Sequence, residues 1–252
     1  MSPSKPNNRP QPLNLSKQEK RLAQQARQKQ KNRNFMIGTA ALVVILFAAL
    51  FYLASKESGA SDSATEAIEF NYSELPRLGK ADAPVKIVEF GDFKCPACAD
   101  FKGTIKPQLE KEYINTGQAA MYFVNMSFIG PDSTTASLAA LSVFHQNNDE
   151  FWKFYDALYS NQGDEKVEWA TKDFLVNLAK QEKLSIDYDL LSKDIENKTY
   201  ANELQQDNNL ASDTDVTQTP SIFVNGVKIQ EPFNYEAITK QIDLAAKEAD
   251  PS

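Results

Sequence analysis

The chain holds two cysteines in 252 residues, and they stand three apart in Cys95-Pro96-Ala97-Cys98. Two cysteines placed at random in such a chain would be so spaced about one time in a hundred, so the spacing is a signal. The flanking sequence narrows the fold. Residues Val85 to Phe90 (VKIVEF) alternate and are rich in β-branched side chains, which predicts a strand that Gly91 and Asp92 break ahead of the cysteines. A helix is predicted from Cys95 to about Tyr113, and a second strand from Gln118 to Asn125. Strand, helix and strand over this length suit a β-α-β unit with a right-handed parallel crossover.

A helical tract follows. Asp132 and Ser133 are candidate caps for a helix running to about His145, and Phe151, Trp152, Tyr155, Leu158 and Tyr159 recur at helical spacing, which marks them as core. Further helices are predicted near 171–182, 188–197 and 198–212. The β pattern returns at 221–224 and 227–229 around Asn225-Gly226, a strong hairpin signal, and a last helix spans about 235–248. The plan is β-α-β, helical insert, β-β-α: an α/β fold whose insert occupies about residues 131–212.

That position gives the cysteines chemistry. At the start of a helix, Cys95 meets unpaired backbone N–H groups and the positive end of the helix dipole, which favour thiolate over thiol. Three residues on, Cys98 lies beneath it on the same helical face, close enough for the pair to close and open. Pro96 is tolerated in a first turn because its missing N–H would be unpaired there. Thiol-disulfide exchange needs a nucleophile, here Cys95, and a second thiol to resolve the mixed disulfide, here Cys98.

Charge divides the chain. Residues 1–34 carry nine Lys/Arg against one Glu, so the net −7 of the whole leaves −15 on residues 35–252. An acidic main domain argues against nucleic acid as a partner, because that affinity rests on clustered Lys/Arg. Residues 35–54 (FMIGTAALVVILFAALFYLA) contain no charge and are long enough to span a bilayer as a helix. A cleavable signal peptide is the competing reading, but its apolar region is typically about 7–15 residues, and Ala54-Ser55-Lys56 is a poor cleavage site. The basic residues ahead of the run predict a cytoplasmic tail over 1–34, a single-pass anchor over 35–54 and everything beyond outside the cell membrane. Residues 55–68 read as a flexible tether, and 69–252 as the folded domain in a compartment where disulfides persist.

Residues 88–98 (VEFGDFKCPAC) and, after the helical insert, 217–226 (TQTPSIFVNG) resemble the DsbA family, particularly its membrane-anchored members from bacteria with a single membrane. The resemblance covers about residues 69–250 and implies a thioredoxin-like fold with an inserted helical domain. It implies that the peptide bond before Pro220 is cis, that Pro220 lies against the cysteines, and that the Thr219 backbone binds substrate. Strand position alone leaves open whether Glu89 faces the cysteines or solvent; the resemblance makes it a carboxyl beneath the site that exchanges a proton with the resolving thiol. It also implies no cofactor beyond the Cys95–Cys98 disulfide, with secreted or surface proteins as substrates and a quinone-linked membrane partner as reoxidase. The best-known oxidases of the family carry His where this chain has Ala97, which predicts a milder oxidant. Lys94 either compensates in part or points into water.

Other readings fit some of these residues. A zinc site would need four ligands, and the chain has no third cysteine and one histidine, His145, which reads as a solvated helix residue. No EF-hand spacing marks a calcium site, so no metal ligands are assigned. Trp152 and Trp169 read as packing residues. A reductase or isomerase would use the same cysteine pair, and a tethered binding or holdase module would keep it as a structural disulfide.

Overall fold

The computed structural model describes residues 67–249. The basic tail, the apolar run over 35–54 and residues 55–66 of the tether lie outside the described residues. Among those described, no helix is long and apolar enough to cross a membrane.

Among the described residues five strands form one mixed sheet: β1 (Arg77–Leu78), β2 (Val85–Gly91), β3 (Ala119–Asn125), β4 (Ser221–Val224) and β5 (Val227–Ile229), in the order β1-β3-β2-β4-β5. Only β2 and β3 are parallel, with Glu89 opposite Phe123; their connection is helical, as a parallel pair requires. β2 is central and buried on both faces. Ile87 and Glu89 point to one side, where Phe93, Phe101, Phe123, Tyr155 and Ile238 pack; Val88 and Phe90 point to the other, against Phe70, Val216 and Phe223. The β4–β5 turn has φ of 45° at Asn225 and 81° at Gly226, the positive pair that a two-residue hairpin demands. Gly226 has a second reason to lack a side chain: a Cβ there would lie 2.3 Å from the carbonyl of Ile68, whose N–H donates to the Gly226 carbonyl at 3.0 Å.

The helix predicted over 95–113 is broken. It runs as α1 (Pro96–Thr104), turns at Ile105, and resumes as α2 (Lys106–Leu109) and a π turn over Glu110–Ile114. Pro107 accounts for the break, because it has no N–H for the Gly103 carbonyl and its ring crowds that turn. Lys106 sits at the break and is buried, 3% exposed.

The insert comprises α3 (Pro131–Gln146), α4 (Asn148–Ser160), α5 (Lys172–Gln181), α6 (Tyr188–Asn197) and α7 (Ala201–Asp213), and α8 (Tyr235–Ala249) closes the fold. Gly130 occupies the cap position of α3, and Ser133 caps the helix from within its first turn, its hydroxyl accepting from the Gly130 N–H at 3.3 Å. Pro131 takes the first helical position after Gly130, so Asp132 falls inside the first turn and its carboxylate is free for another role. The aromatic series on α4 is buried as the spacing predicts. The helix predicted from 198 begins at Ala201, because Lys198 adopts a left-handed φ of 52° to end α6. His145 is exposed, yet it stacks on Tyr200 at 4.4 Å and pairs with Glu203 at 2.6 Å.

Candidate redox site

The loop between β2 and α1 is held by a buried carboxylate. Asp92 Oδ1 accepts from the Lys94 N–H at 2.8 Å, and Oδ2 accepts from the N–H groups of Phe128 and Ile129 at 3.0 and 3.1 Å, joining this loop to the one after β3. The Asp92 carbonyl accepts from the Cys95 N–H at 2.9 Å. From the insert, the Gln162 amide donates to the carbonyls of Phe93 and Cys95 at 2.9 and 3.1 Å. The cysteine turn is therefore fixed from both sides by groups that have little freedom of their own.

Both cysteines are free thiols, Cys95 7% exposed and Cys98 fully buried. The Cys95 thiol donates to the Thr219 carbonyl at 3.4 Å, and the Thr219–Pro220 bond is cis. Thus residues 124 positions apart meet at one sulfur. Hydrogen bonding with the Cys98 thiol is the largest influence on Cys95. Burial opposes it, while the Thr219 side-chain hydroxyl, rather than its carbonyl, and the backbone N–H groups of Cys98 and Ala97 reinforce it, and the Cys95 pKa falls to about 6. The helix start contributes as the sequence predicts, but the neighbouring thiol contributes more. Cys98 moves the other way: burial, its bond to Cys95 and the nearby Glu89 all push its pKa up. Pro96 is exposed and Ala97 partly exposed at the mouth of the site.

Glu89 lies on the cysteine side of the sheet, fully buried. Its Oε2 accepts from the Tyr155 hydroxyl at 2.7 Å, and Oε1 has no partner among the described residues. Burial raises its pKa, Tyr155 and Lys106 pull it back in part, and it settles at about 8.

Lys94 overturns both expectations set for it. It is 2% exposed, so it does not point into water, and its ammonium is engaged by Asp132 at 2.5 Å and the Val167 carbonyl at 3.1 Å, so it is not free to assist Cys95. Sequence reasoning passed over Asp92, Asp132 as an ion-pair partner, Gln162 and Lys106. The Gly91-Asp92 pair after a strand was the one local signal among them.

A cleft of about 770 Å³, lined by residues including Leu75, Phe144, His145, Glu203 and Asp207, contains neither cysteine. Exchange with a protein thiol needs an approachable sulfur rather than a cavity, so this separation is consistent with the chemistry. Among the described residues, no three His, Cys, Asp or Glu side chains are grouped to hold a metal ion.

The thioredoxin family model matches residues 73–244. "Probable disulfide bond formation protein D" of Bacillus cereus is 40% identical over 178 residues, covering 71% of this chain and 82% of the relative. Disulfide bond formation protein D of Bacillus subtilis is 37% identical, covering 68% of this chain and 77% of the relative. The chain belongs to the DsbA-like thiol-disulfide oxidoreductases. The crystal structure of oxidised BdbD from Bacillus subtilis superposes with a TM-score of 0.69 at 35% identity, covering 72% of this chain and 97% of that one. This DsbA-like chain is a protein thiol-disulfide oxidoreductase of thioredoxin-like α/β fold.

Proposed function

We propose that the protein donates its Cys95–Cys98 disulfide to secreted or surface proteins outside the cell membrane, held there by an anchor over residues 35–54 with the tail over 1–34 in the cytoplasm. A client thiolate attacks Cys95 Sγ, forming a mixed disulfide and releasing Cys98. A second client thiolate then attacks the client sulfur, the client leaves oxidised, and both cysteines are reduced. A membrane partner linked to quinones accepts the two electrons and restores the disulfide. Thr219 and the cis Pro220 bind the client backbone beside Cys95, and Glu89 exchanges a proton with Cys98.

The observation that carries this reading is the contrast between the two thiols: one marginally exposed with a pKa near 6, the other buried with a raised pKa. A stabilised Cys95 thiolate favours the reduced protein as product, which is what makes a disulfide oxidising. Phe128 and Val167, 54% and 57% exposed, stand on the loops tied to Asp92 and Lys94 and offer an apolar rim to an incompletely folded client.

The deciding measurement is the redox equilibrium of the full chain against glutathione, with an expected potential of roughly −180 to −100 mV. Cys98→Ala should accumulate mixed disulfides between clients and Cys95. A potential near the roughly −270 mV of thioredoxin would make the protein a reductant, and failure to trap any client would favour a structural disulfide. Protease added outside intact spheroplasts should remove the catalytic domain; protection of the domain would defeat the proposed orientation.

A further inference from the structure

The two carboxylate oxygens of Glu89 are in different states. Oε2 is occupied by the Tyr155 hydroxyl, whereas Oε1 is buried and has no partner among the described residues, a condition that costs stability. Ionisable groups surround this carboxyl from three elements: Cys95 and Cys98 at α1, Lys106 at α2, and Tyr155, Asp156 and Tyr159 on α4. Lys106 is the single cation among them. Its ammonium lies over the rings of Tyr155 and Trp152, 5.3 and 5.6 Å from their centroids, and pairs with Glu110 and, at 3.1 Å, with Asp156. The Glu110 and Asp156 side chains are 32% and 45% exposed, so the chain of contacts runs from the buried carboxyl through Tyr155 and Lys106 to water.

We propose that Tyr155 and Lys106 are positioning residues for the proton that Cys98 gives up: Tyr155 pins Glu89 through Oε2 and leaves Oε1 open to receive it, while the tethered Lys106 ammonium favours the carboxylate that can take it. The proposal rests on the reading of Glu89 as the proton acceptor. During reoxidation Cys95 is joined to the partner's sulfur. The Cys98 S–H bond breaks, its proton goes to Glu89 Oε1, and its electron pair forms the bond to Cys95 Sγ as the partner leaves as a thiolate. The cysteine pair loses two electrons and the partner's disulfide gains them. When a client later releases Cys98 as a thiolate, the same oxygen returns the proton. Without Tyr155 both oxygens would be buried and unpartnered; without Lys106 no cation would offset the burial that keeps the carboxyl protonated.

Rapid mixing of the reduced full chain with oxidised glutathione separates the steps: a first phase forms the mixed disulfide at Cys95, and a second releases glutathione through Cys98. Tyr155→Phe and Lys106→Met should each raise the pH midpoint of the second phase by about one unit, slowing it about tenfold at pH 7, with a smaller change in the first phase. Lys106→Arg, which keeps the charge, should stay near the wild-type profile. If Lys106→Met does not fold, Tyr155→Phe, which removes one oxygen, decides the matter. Unchanged second-phase profiles in the variants, alongside a slowed Glu89→Gln, would overturn the positioning roles and leave Glu89 as acceptor. An unchanged second phase in Glu89→Gln would overturn the acceptor itself.

Discussion

Asp132 and Glu89 are both buried beside this redox site, and their carboxyl groups differ in state. Asp132 accepts from the Lys94 ammonium and from the N–H groups of Trp169 and Ala170 at 2.9 and 3.1 Å. Burial would raise its pKa, but these donors outweigh it and hold the carboxyl below its ordinary value. Among the described residues Glu89 has one hydroxyl donor and no cation in direct contact, and its pKa is about 8. Burial pushes both pKa values up; three donors outweigh it at Asp132, whereas the single donor at Glu89 does not. The satisfied pair fastens the cysteine loop to the helical insert in one charge state. The under-satisfied carboxyl can change protonation near neutral pH, which is what a group exchanging protons with a buried thiol requires.

The strongest way to break this contrast is to remove the satisfied partner. Asp132→Asn leaves the Lys94 charge buried without a counterion and should destabilise the protein by about 3–5 kcal/mol, read as a lower denaturant midpoint at unchanged slope. Replacing both residues by apolar ones of similar volume should recover part of that loss, since the N–H groups of Trp169 and Ala170 would still lack their acceptor. A loss under about 1 kcal/mol would show that the pair behaves like an exposed one.

Glu89→Gln should act in the opposite direction. The folded pKa of Glu89 is raised, so its favourable contribution is full below its ordinary value of 4.5 and is lost as pH rises through about 8. Glutamine carries no such penalty. In the disulfide form, where neither thiol titrates, the variant should match wild type near pH 4 and exceed it by about 1–3 kcal/mol near pH 9. Equal stability across that range would mean that the carboxylate is satisfied after all.

What was legible in the sequence was local. The Val85–Phe90 alternation, the Asn225-Gly226 turn and the cysteine spacing each depend on neighbours within a few residues, and each locates its element to within a residue or so. The partners were not local. Asp132 lies 38 residues from Lys94, and nothing near it in the chain separates an ion-pair partner from a helix cap. Tyr155 is legible as core from its spacing on α4, yet its hydroxyl meets Glu89 across 66 residues. The side on which Glu89 lies was undecidable because both faces of β2 are covered, so alternation no longer separates inside from outside. The broken helix was readable in principle from Pro107, whose effect on the preceding turn is a local one.

Cys95 falls between the two carboxylates, and its case gives the smallest expected effect. Its pKa of about 6 arises from hydrogen bonds, and the adjacent Lys94, committed to Asp132, is not its counterion. Ala97→His would supply a cation at the mouth of the site, but only while the imidazole is protonated, below its ordinary pKa of about 6.5. The Cys95 pKa is depressed, so the stability that its thiolate contributes is lost as pH falls through about 6. The two charges coexist chiefly between about pH 6 and 7. There the substitution should make the protein more oxidising, raising its potential by roughly 10–30 mV, where 30 mV corresponds to about 1.4 kcal/mol for a two-electron couple. At about pH 8 the imidazole is neutral and the gain should fade. A shift of the same size at pH 6 and pH 8 would assign the effect to hydrogen bonding or packing, and no shift at either would mean that the existing donors already stabilise the thiolate as far as a partly exposed neighbour can.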